Sequence, residues 1–308
     1  MRKIPVAFCF DDNLEIPAVV CLTSLLENAH ENTFYDIFIL HADGAKFPHG
    51  VLNKIPDKYP NCKITFRSVG NEFKQSFEIR GITHAAYYRL LIPDLIPEYD
   101  KVMYHDVDVI FRDDLADMFE NTNIENHYIA GVVSPDCLDK KIYKERINLG
   151  LNPFDYIQSG NLIFNSLKLR EDKIVERFKS EAMDKKYIYQ DQDIINIVCK
   201  NYIVKIPPYF CATVWVFNLA SHWMEQPFYT QAELKLAQNK GIIHYNGAKP
   251  WNEYCPNFDI WWQYYRNSIC FDHKWYFDFY YSKLDDLDRL SLWKRVKILL
   301  RYFKTRKK

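Results

Sequence analysis

The chain has 308 residues, of which 26% are charged, and this length suits one large α/β domain with a smaller appendage. Lys and Arg together number 40, as do Asp and Glu, so no net positive charge points to a nucleic-acid partner. The 8 cysteines form no CxxC pair, which excludes a zinc knuckle or a redox motif. Scattered cysteines, without a secretory leader or a segment of transmembrane length, predict a cytoplasmic protein.

The first hundred residues predict an alternation of strands and helices, which is typical of a mostly parallel sheet covered on both faces. Apolar side chains recur at helical spacing over 16–29. The segment 84–91 is predicted to be helical and to stop before Pro93, because proline disfavours helix in the preceding residue. The predicted strands are 6–10, 35–41 and 63–69, and the predicted helices are 16–29, 50–59 and 84–91.

The segment 101–108 predicts a buried strand that ends in two acidic residues. Asp106 and Asp108 should point to the same side while Val107 turns into the core, because strand side chains alternate. Neighbouring carboxylates repel each other unless a positive charge lies between them, and at the carboxyl end of an α/β strand that charge is often a divalent cation. The alternative is an ordinary solvated turn, where aspartate is common.

The second half of the chain predicts further strands and helices and then an aromatic, basic C-terminal region. No internal repeat or linker interrupts it, so we predict one catalytic domain over 1–255 and a helical region over 256–308. The predicted strands are 128–133, 162–165 and 242–245, the predicted helices are 167–183 and 192–199, and 207–230 fits neither pattern.

A second polar group follows the short apolar strand 242–245. The imidazole of His244 can complete a metal shell begun by carboxylates, and one nitrogen among oxygens favours Mn²⁺ over Mg²⁺. Gly247 lets the backbone approach a phosphate, and Lys249 offers a positive charge for a diphosphate. Each of these residues alone is more often structural, whereas their combination after a strand favours a metal and diphosphate site.

Three further segments offer groups that a nucleotide-sugar site needs. Asp11 and Asn13 can accept hydrogen bonds from a base or ribose, although such a cluster also makes a good helix N-cap. Arg89 lies in an apolar helix and needs a partner, either a nearby acid or a diphosphate. The segment 189–193 has two amides and two acids that suit sugar hydroxyls, although acids at a helix start are also ordinary caps.

Taken together, six motifs resemble glycosyltransferase family 8, and most closely its bacterial lipopolysaccharide galactosyl- and glucosyltransferases. They occur in family order between residues 4 and 251. Each motif alone is a weak or moderate indication of the family, and the six together in this order are a strong one. The motifs are FCFDDN (8–13), YYRL (87–90), YHDVD (104–108), SGNLIFN (159–165), YQDQDI (189–194) and HYNGAKPW (244–251).

The resemblance implies a GT-A (Rossmann-like) nucleotide-sugar-binding fold. It also implies retaining transfer of a hexose from UDP-galactose or UDP-glucose, dependent on Mn²⁺ or, as a second choice, Mg²⁺. By motif, Asp106, Asp108 and His244 would hold the metal. The other implied contacts are Asp11 and Asn13 with uridine and ribose, Gly247 and Lys249 with the diphosphate, Arg89 and Asp191 with the donor hexose, and Gln192 beneath the anomeric carbon.

The chain departs from the family pattern at several positions. Leu14 stands where relatives often have an aromatic residue on uracil, and His105 stands where an apolar residue is common. Gln158 takes a place that is often Asn. Asp136 is the candidate for a sugar-binding aspartate that the family often places near the strand 128–133.

The implied acceptor is a saccharide, either lipopolysaccharide or another cell-surface glycan. Gln192 is a neutral amide and a poor nucleophile, which favours attack on the leaving-group face over a covalent intermediate. The alternatives are a catalytically impaired nucleotide-sugar-binding protein, a glycogenin-like self-glucosylating enzyme and a metal-dependent phosphohydrolase.

The last residues predict an amphipathic basic helix. Such a helix suits an anionic membrane surface, here the inner face of the cell membrane, where a lipid-linked acceptor would lie. The alternative is a helix packed on the domain with a solvated basic face. The apolar positions are Leu292, Val296, Leu299, Leu300 and Phe303, with Lys294, Lys297, Arg301 and Lys304 opposite them.

Overall fold

A computed structural model of the protein describes residues 1–70, 73, 84–184 and 187–305. Within these ranges the strands are β1 (Arg2–Cys9), β2 (Thr33–Ala42), β3 (Cys62–Val69), β4 (Lys101–His105), β5 (Val109–Phe111), β6 (Ile129–Val133), β7 (Ile157–Asn165), β8 (Ile203–Lys205) and β9 (Ile242–His244).

The same ranges contain α-helices along the length of the chain. They are α1 (Glu15–Glu27), α2 (Ile55–Lys58), α3 (Ile92–Leu95), α4 (Ala116–Asn121), α5 (Lys140–Asn148), α6 (Ser166–Glu171), α7 (Ile174–Asp184), α8 (Gln190–Val198), α9 (Val214–Ser221), α10 (Gln231–Asn239), α11 (Phe258–Asn267), α12 (His273–Asp288) and α13 (Leu292–Thr305). Short 3₁₀ helices span Asp12–Leu14, Phe47–His49, Val51–Lys54, His84–Leu91, Pro135–Leu138 and Pro208–Phe210.

Seven of the described strands form one central sheet in the order β3-β2-β1-β4-β7-β6-β8. The pairs β1/β2, β2/β3, β1/β4 and β6/β8 are parallel, whereas β7 runs antiparallel to both β4 and β6. The predicted mostly parallel α/β sheet is therefore confirmed. Strands β5 and β9 form a separate antiparallel pair.

The sheet is buried on both faces because successive side chains of its strands enter different clusters. Val6 of β1 packs in one cluster with Leu22 of α1, and Ala7 packs in the other with Ile194 of α8. This arrangement explains why the central strands are apolar throughout rather than alternating. It also brings the carboxyl ends of β1 and β4 to one edge, since Ala7 pairs with Tyr104.

Several predicted bounds in the first half were wrong: β1 begins at Arg2 rather than residue 6, and the helix predicted over 50–59 is a 3₁₀ helix, Val51–Lys54, followed by the short α2. The strand predicted over 101–108 ends at His105, so Asp106 and Asp108 lie in the link between β4 and β5. The helix predicted over 84–91 is confirmed as a 3₁₀ helix with those bounds, but its predicted stop before Pro93 was wrong, because the chain continues directly into α3. Proline is tolerated there because it lies in the first turn of α3, where its missing N–H is not needed.

Three boundaries in the second half also differ. The helix predicted over 167–183 is broken into α6 and α7 near Lys173, whose φ of 54° is not helical. Strand β7 begins at Ile157 and helix α8 at Gln190, earlier than predicted. The stretch 207–230, which fitted neither pattern, contains a 3₁₀ helix and α9.

The C-terminal region begins packed on the domain and ends exposed. Trp261 and Trp262 of α11 are fully buried in a third cluster with Val20 and Ile110. Several apolar side chains of α13 are more than half exposed, among them Leu299. No helix within the described ranges combines the length and the apolar composition that crossing a membrane requires. The basic residues Arg306, Lys307 and Lys308 lie outside the described residues.

Candidate active site

The site lies at the end of β4. Strand β5 follows it in the chain, and β9 pairs with β5. Asp106 follows β4, and its N–H donates to the Gly160 carbonyl over 2.8 Å. Asp108 precedes β5, whose Val109 pairs with His244 in the antiparallel β5/β9 register. The strand pairing therefore places an imidazole from far along the chain beside the two aspartates.

The three predicted metal ligands meet in the structure. One ligand atom from each of Asp106, Asp108 and His244 lies within 4.8 Å of the other two. Nε2 of His244 is 3.3 Å from Asp108 Oδ1 and 3.8 Å from Asp106 Oδ2. Val107 is buried in the core, as the alternation predicts.

Two cations and a hydroxyl surround the carboxylates. Lys249 forms an ion pair with Asp108. Nη2 of Arg89 is 2.9 Å from Asp106 Oδ1, and the Tyr104 hydroxyl donates to the same oxygen over 2.5 Å. The guanidinium of Arg89 also lies 4.5 Å from the centre of the Tyr104 ring, which favours the charged form.

These contacts shift the pKa values of the buried groups. Burial acts to raise the pKa of Asp108, but the charges of Lys249 and His244 hold it well below its ordinary value. Burial acts to lower the pKa of His244, but the Asp108 carboxylate outweighs it and raises that pKa to about 10. Without a cation, the site therefore keeps His244 protonated at neutral pH.

The residues present fit a divalent cation. Two carboxylates and one imidazole are a donor set for such ions. Asp108 Oδ1 is buried, and its neighbour His244 Nε2, 3.3 Å away, does not meet it in hydrogen-bond geometry. A Cβ at Gly160 would collide with His244 Cε1 and lie 2.5 Å from Asp106 Oδ2, so glycine keeps the ligands in place.

Arg89 joins this triad to Asp191. Its Nη1 lies 3.3 Å from Asp191 Oδ2 and donates to the Ser159 carbonyl over 2.9 Å. Burial raises the pKa of Asp191 above its ordinary value, although the charge of Arg89 acts in the opposite direction. The nearby acids expected as partners of Arg89 are therefore Asp106 and Asp191.

Gln192 has both ends of its amide engaged. Its Oε1 accepts from the Ser159 N–H over 3.1 Å, and its Nε2 donates to the Tyr156 hydroxyl over 3.3 Å. The Tyr156 hydroxyl donates in turn to Asp193 over 2.6 Å. Gln192 is therefore held in one orientation beside Ser159, whose carbonyl accepts a hydrogen bond from Arg89.

Asp136 and Gln158 are linked through Ser134. Gln158 Nε2 donates to Ser134 Oγ over 2.6 Å, and the Ser134 hydroxyl donates to Asp136 over 2.5 Å. A buried arginine, Arg146 of α5, forms an ion pair with Asp136. Sequence reasoning missed Arg146, although its position four residues after Ile142 places it on a helix face with an apolar residue.

Asp11 and Asn13 follow the carboxyl end of β1. Asp11 caps the 3₁₀ helix Asp12–Leu14 by accepting from the Asn13 N–H over 3.0 Å, so the capping interpretation holds. Asp11 also lines a cleft of about 290 Å³ with residues that include Gly44 and Tyr88. The cleft borders the 3₁₀ helix that carries Arg89.

Gly247 and Lys249 follow β9 in a turn. A Cβ at Gly247 would meet nothing within 4 Å, so the space beside it is open. The side chain of Lys249 donates to the Tyr245 carbonyl over 2.6 Å and reaches Asp108. The turn therefore places the open backbone at Gly247 and the charged side chain of Lys249 beside the two aspartates.

A mostly parallel sheet with an acidic and imidazole cluster at one edge defines the class of this protein as a GT-A-like α/β protein. Residues 5–255 match the profile of glycosyl transferase family 8. The chain belongs to glycosyltransferase family 8.

Three comparisons illustrate the similarity. The lipopolysaccharide 1,2-glucosyltransferase of Escherichia coli is 25% identical over 260 residues, which are 81% of this chain and 73% of that one. The structure of the galactosyltransferase LgtC with donor and acceptor sugar analogues has a TM-score of 0.70 at 22% identity and covers 88% of this chain and 99% of that one. The bifunctional glycosyltransferase WbbM has a TM-score of 0.74 at 23% identity over 91% of this chain and 51% of that one, so this chain spans about half of WbbM.

Proposed function

We propose that the protein is a retaining glycosyltransferase that moves a hexose from UDP-galactose or UDP-glucose to a saccharide acceptor, with its catalytic unit in 1–255. The observation that supports this most is the convergence of Asp106, Asp108 and His244 within 4.8 Å. Arg89 and Lys249, which pair with these aspartates, add positive charge at the same place.

The metal ligands of this proposal are Asp106, Asp108 and His244, with Mn²⁺ as the preferred ion and Mg²⁺ as the second choice. When bound, the ion supplies positive charge where the UDP leaving group gains negative charge. Lys249 adds a second positive charge there when it leaves Asp108 for a diphosphate oxygen. The open space beside Gly247 lets backbone N–H groups approach the diphosphate.

The donor hexose in this proposal lies against two connected groups of polar side chains. Arg89 and Asp191 form the first group and are joined across 3.3 Å. Asp136 and Gln158 form the second group and are joined through a serine hydroxyl. Asp11, which lines the cleft beside β1, and Asn13, two residues further along the chain, contact the ribose and uracil.

Retention follows from attack on the same face that the diphosphate leaves. Gln192 is a neutral amide whose two ends are already hydrogen-bonded, so it stabilises the positive charge of the sugar rather than forming a bond to it. A phosphate oxygen of the leaving UDP takes the proton of the acceptor hydroxyl. Trapping of a glycosyl adduct on Gln192 or Asp191 would contradict this route.

The acceptor of this proposal is lipopolysaccharide or another cell-surface glycan. The E. coli relative is by name a lipopolysaccharide glucosyltransferase, and LgtC is a galactosyltransferase. The protein works in the cytoplasm on the inner face of the membrane, which α13 contacts through its exposed apolar residues and its lysines.

The deciding experiment measures UDP release from a panel of UDP-sugars with and without Mn²⁺. Release should require Mn²⁺ and stop in excess chelator. Asp106→Asn should lower kcat at least about a hundredfold, while Asp57→Asn, a control at an exposed aspartate, should not change it.

The fold of each variant is checked by its thermal unfolding without metal. Full turnover in chelator, or in Asp106→Asn, would refute the proposal. Nucleotide-sugar binding without turnover would identify an impaired enzyme, and sugar attached to the protein itself would identify self-glycosylation.

A further inference from the structure

The Nδ1 side of His244 faces a buried polar group that the proposed function does not use. Nδ1 lies 3.3 Å from Asn161 Nδ2 and 3.3 Å from Cys211 Sγ. Beyond Asn161 lies His105, with its Nδ1 2.7 Å from Asn161 Oδ1. His105, Asn161 and Cys211 are completely inaccessible to solvent, so their hydrogen bonds must be satisfied among themselves.

His105 carries one proton, and its surroundings decide where that proton lies. The His105 ring is completely buried, which favours its neutral form because burial disfavours a charge. Its Nε2 is buried without a hydrogen-bond partner among the described residues, with the rings of Phe111 and Phe210 against the imidazole. A proton on Nε2 would be an unsatisfied donor, which is unfavourable. The proton therefore lies on Nδ1 and is donated to Asn161 Oδ1.

This hydrogen bond orients the Asn161 amide. With Oδ1 facing His105, Nδ2 must face His244 and Cys211, and it donates to Cys211 Sγ over 3.1 Å. An amide nitrogen cannot accept a hydrogen bond. Asn161 therefore offers no acceptor to a proton on Nδ1 of His244.

A cation on Nε2 of His244 requires the ring proton to lie on Nδ1. That proton needs an acceptor in a buried place where Asn161 presents only N–H. Cys211 Sγ, 3.3 Å away, can accept it. Strand β9 and the residues after the 3₁₀ helix Pro208–Phe210 hold this geometry, since the His244 N–H donates to the Ala212 carbonyl over 3.0 Å.

We propose that Cys211 is a positioning residue that accepts the Nδ1 proton of His244 and so presents Nε2 to the cation, and that the His105–Asn161 hydrogen bond makes this sulfur necessary. The proposal rests on the proposed function, because it assumes a cation at Asp106 and Asp108. His105 departs from the apolar residue common in the family, and the proposal gives that departure a role.

The test is the Mn²⁺ affinity of the metal-free full chain, measured by titration calorimetry without nucleotide. Cys211→Ala should weaken Mn²⁺ binding about 10- to 100-fold, the usual effect of losing a partner behind a metal-bound histidine. Cys211→Ser keeps an acceptor and should stay within about threefold of the wild type. Cys199→Ala, at another buried cysteine, is the matched control and should leave Mn²⁺ affinity unchanged.

A second variant separates positioning from simple packing. His105→Asn places an amide near the position of Nδ1, and an amide can present either oxygen or nitrogen. Asn161 can then reverse and accept the His244 proton through its own oxygen. Added to Cys211→Ala, His105→Asn should therefore restore at least about tenfold of the lost affinity, which a packing defect would not do.

Each result decides the matter. Wild-type affinity in Cys211→Ala, equal losses in Cys211→Ser and Cys211→Ala, or no recovery with His105→Asn would overturn the proposal. If Cys211→Ala does not fold, Cys211→Val gives the same comparison with a similar volume. If Asp106→Asn loses Mn²⁺ and Cys211→Ala does not, only this inference fails; if the wild type binds no Mn²⁺, the proposed function fails with it.

Discussion

The guanidinium of Arg146 lies 3.8 Å from the centre of the Tyr156 ring. Both side chains are almost completely buried, and each has a second partner, since Arg146 pairs with Asp136 and the Tyr156 hydroxyl donates to Asp193. The contact thus connects the proposed sugar-binding Asp136 to helix α8, which carries Gln192. Stability and donor binding should both depend on it.

Arg146→Met should lower the free energy of unfolding by about 3–5 kcal/mol, because it leaves the buried Asp136 without its cation. The measurement is urea unfolding at pH 7. Adding Asp136→Asn to Arg146→Met removes the unpaired charge and should recover part of the loss. If Arg146→Met alone were as stable as the wild type, the ion pair would not contribute to the free energy of unfolding.

Gly160→Ala should weaken Mn²⁺ binding more than about tenfold, since the new Cβ would collide with His244 and crowd Asp106. Gly70→Ala is the matched control, because a Cβ there meets nothing within 4 Å. Mn²⁺ titration of both variants gives the comparison. Equal affinities would mean that the ligands move away from the added methyl group at little cost.

Mn²⁺ affinity should rise with pH. Burial opposes the charge on His244, but Asp108 raises its pKa to about 10, and a cation binds only the deprotonated Nε2. The apparent affinity should therefore increase about tenfold per pH unit between pH 6.5 and 8.5. Calorimetry in buffers of different ionisation enthalpy should detect about one proton released per ion, and the absence of proton release would contradict the assignment.

Lys249→Met should separate metal binding from transfer. Lys249 pairs with Asp108, so its loss removes a competitor of the cation, and Mn²⁺ affinity should not fall. The value of kcat/KM for the UDP-sugar should fall about 10- to 100-fold, because a positive charge on the diphosphate is lost. Lys235→Met, at an exposed lysine, is the control, and weaker Mn²⁺ binding in Lys249→Met would contradict the competition.

Deletion of 290–308 should abolish binding to anionic lipid vesicles while sparing Mn²⁺-dependent hydrolysis of the UDP-sugar. Leu299 and Leu300, 56% and 58% exposed, should contribute to that binding, so Leu299→Ser with Leu300→Ser should weaken it. Co-sedimentation with anionic and with neutral vesicles is the measurement. Unchanged partitioning after the deletion would refute the membrane role.

The part of this protein that depends on near neighbours in the chain was predictable from the sequence. The alternating strands and helices of the first half follow from periodicities within about ten residues. The common direction of Asp106 and Asp108 follows from the alternation of an extended backbone, although the strand itself ends at His105. The six motifs predicted between residues 4 and 251 lie within the 5–255 match to the family to which the chain belongs.

Only the tertiary structure decided which distant groups meet. The antiparallel register of β5 and β9 puts His244 beside Asp108, and no periodicity in either segment specifies that register. The ion pair of Arg89 with Asp106, and the contacts of Arg146 and Cys211, likewise join residues from separate elements. Burial forces these polar groups to find partners, and strand pairing decides which ones lie within reach.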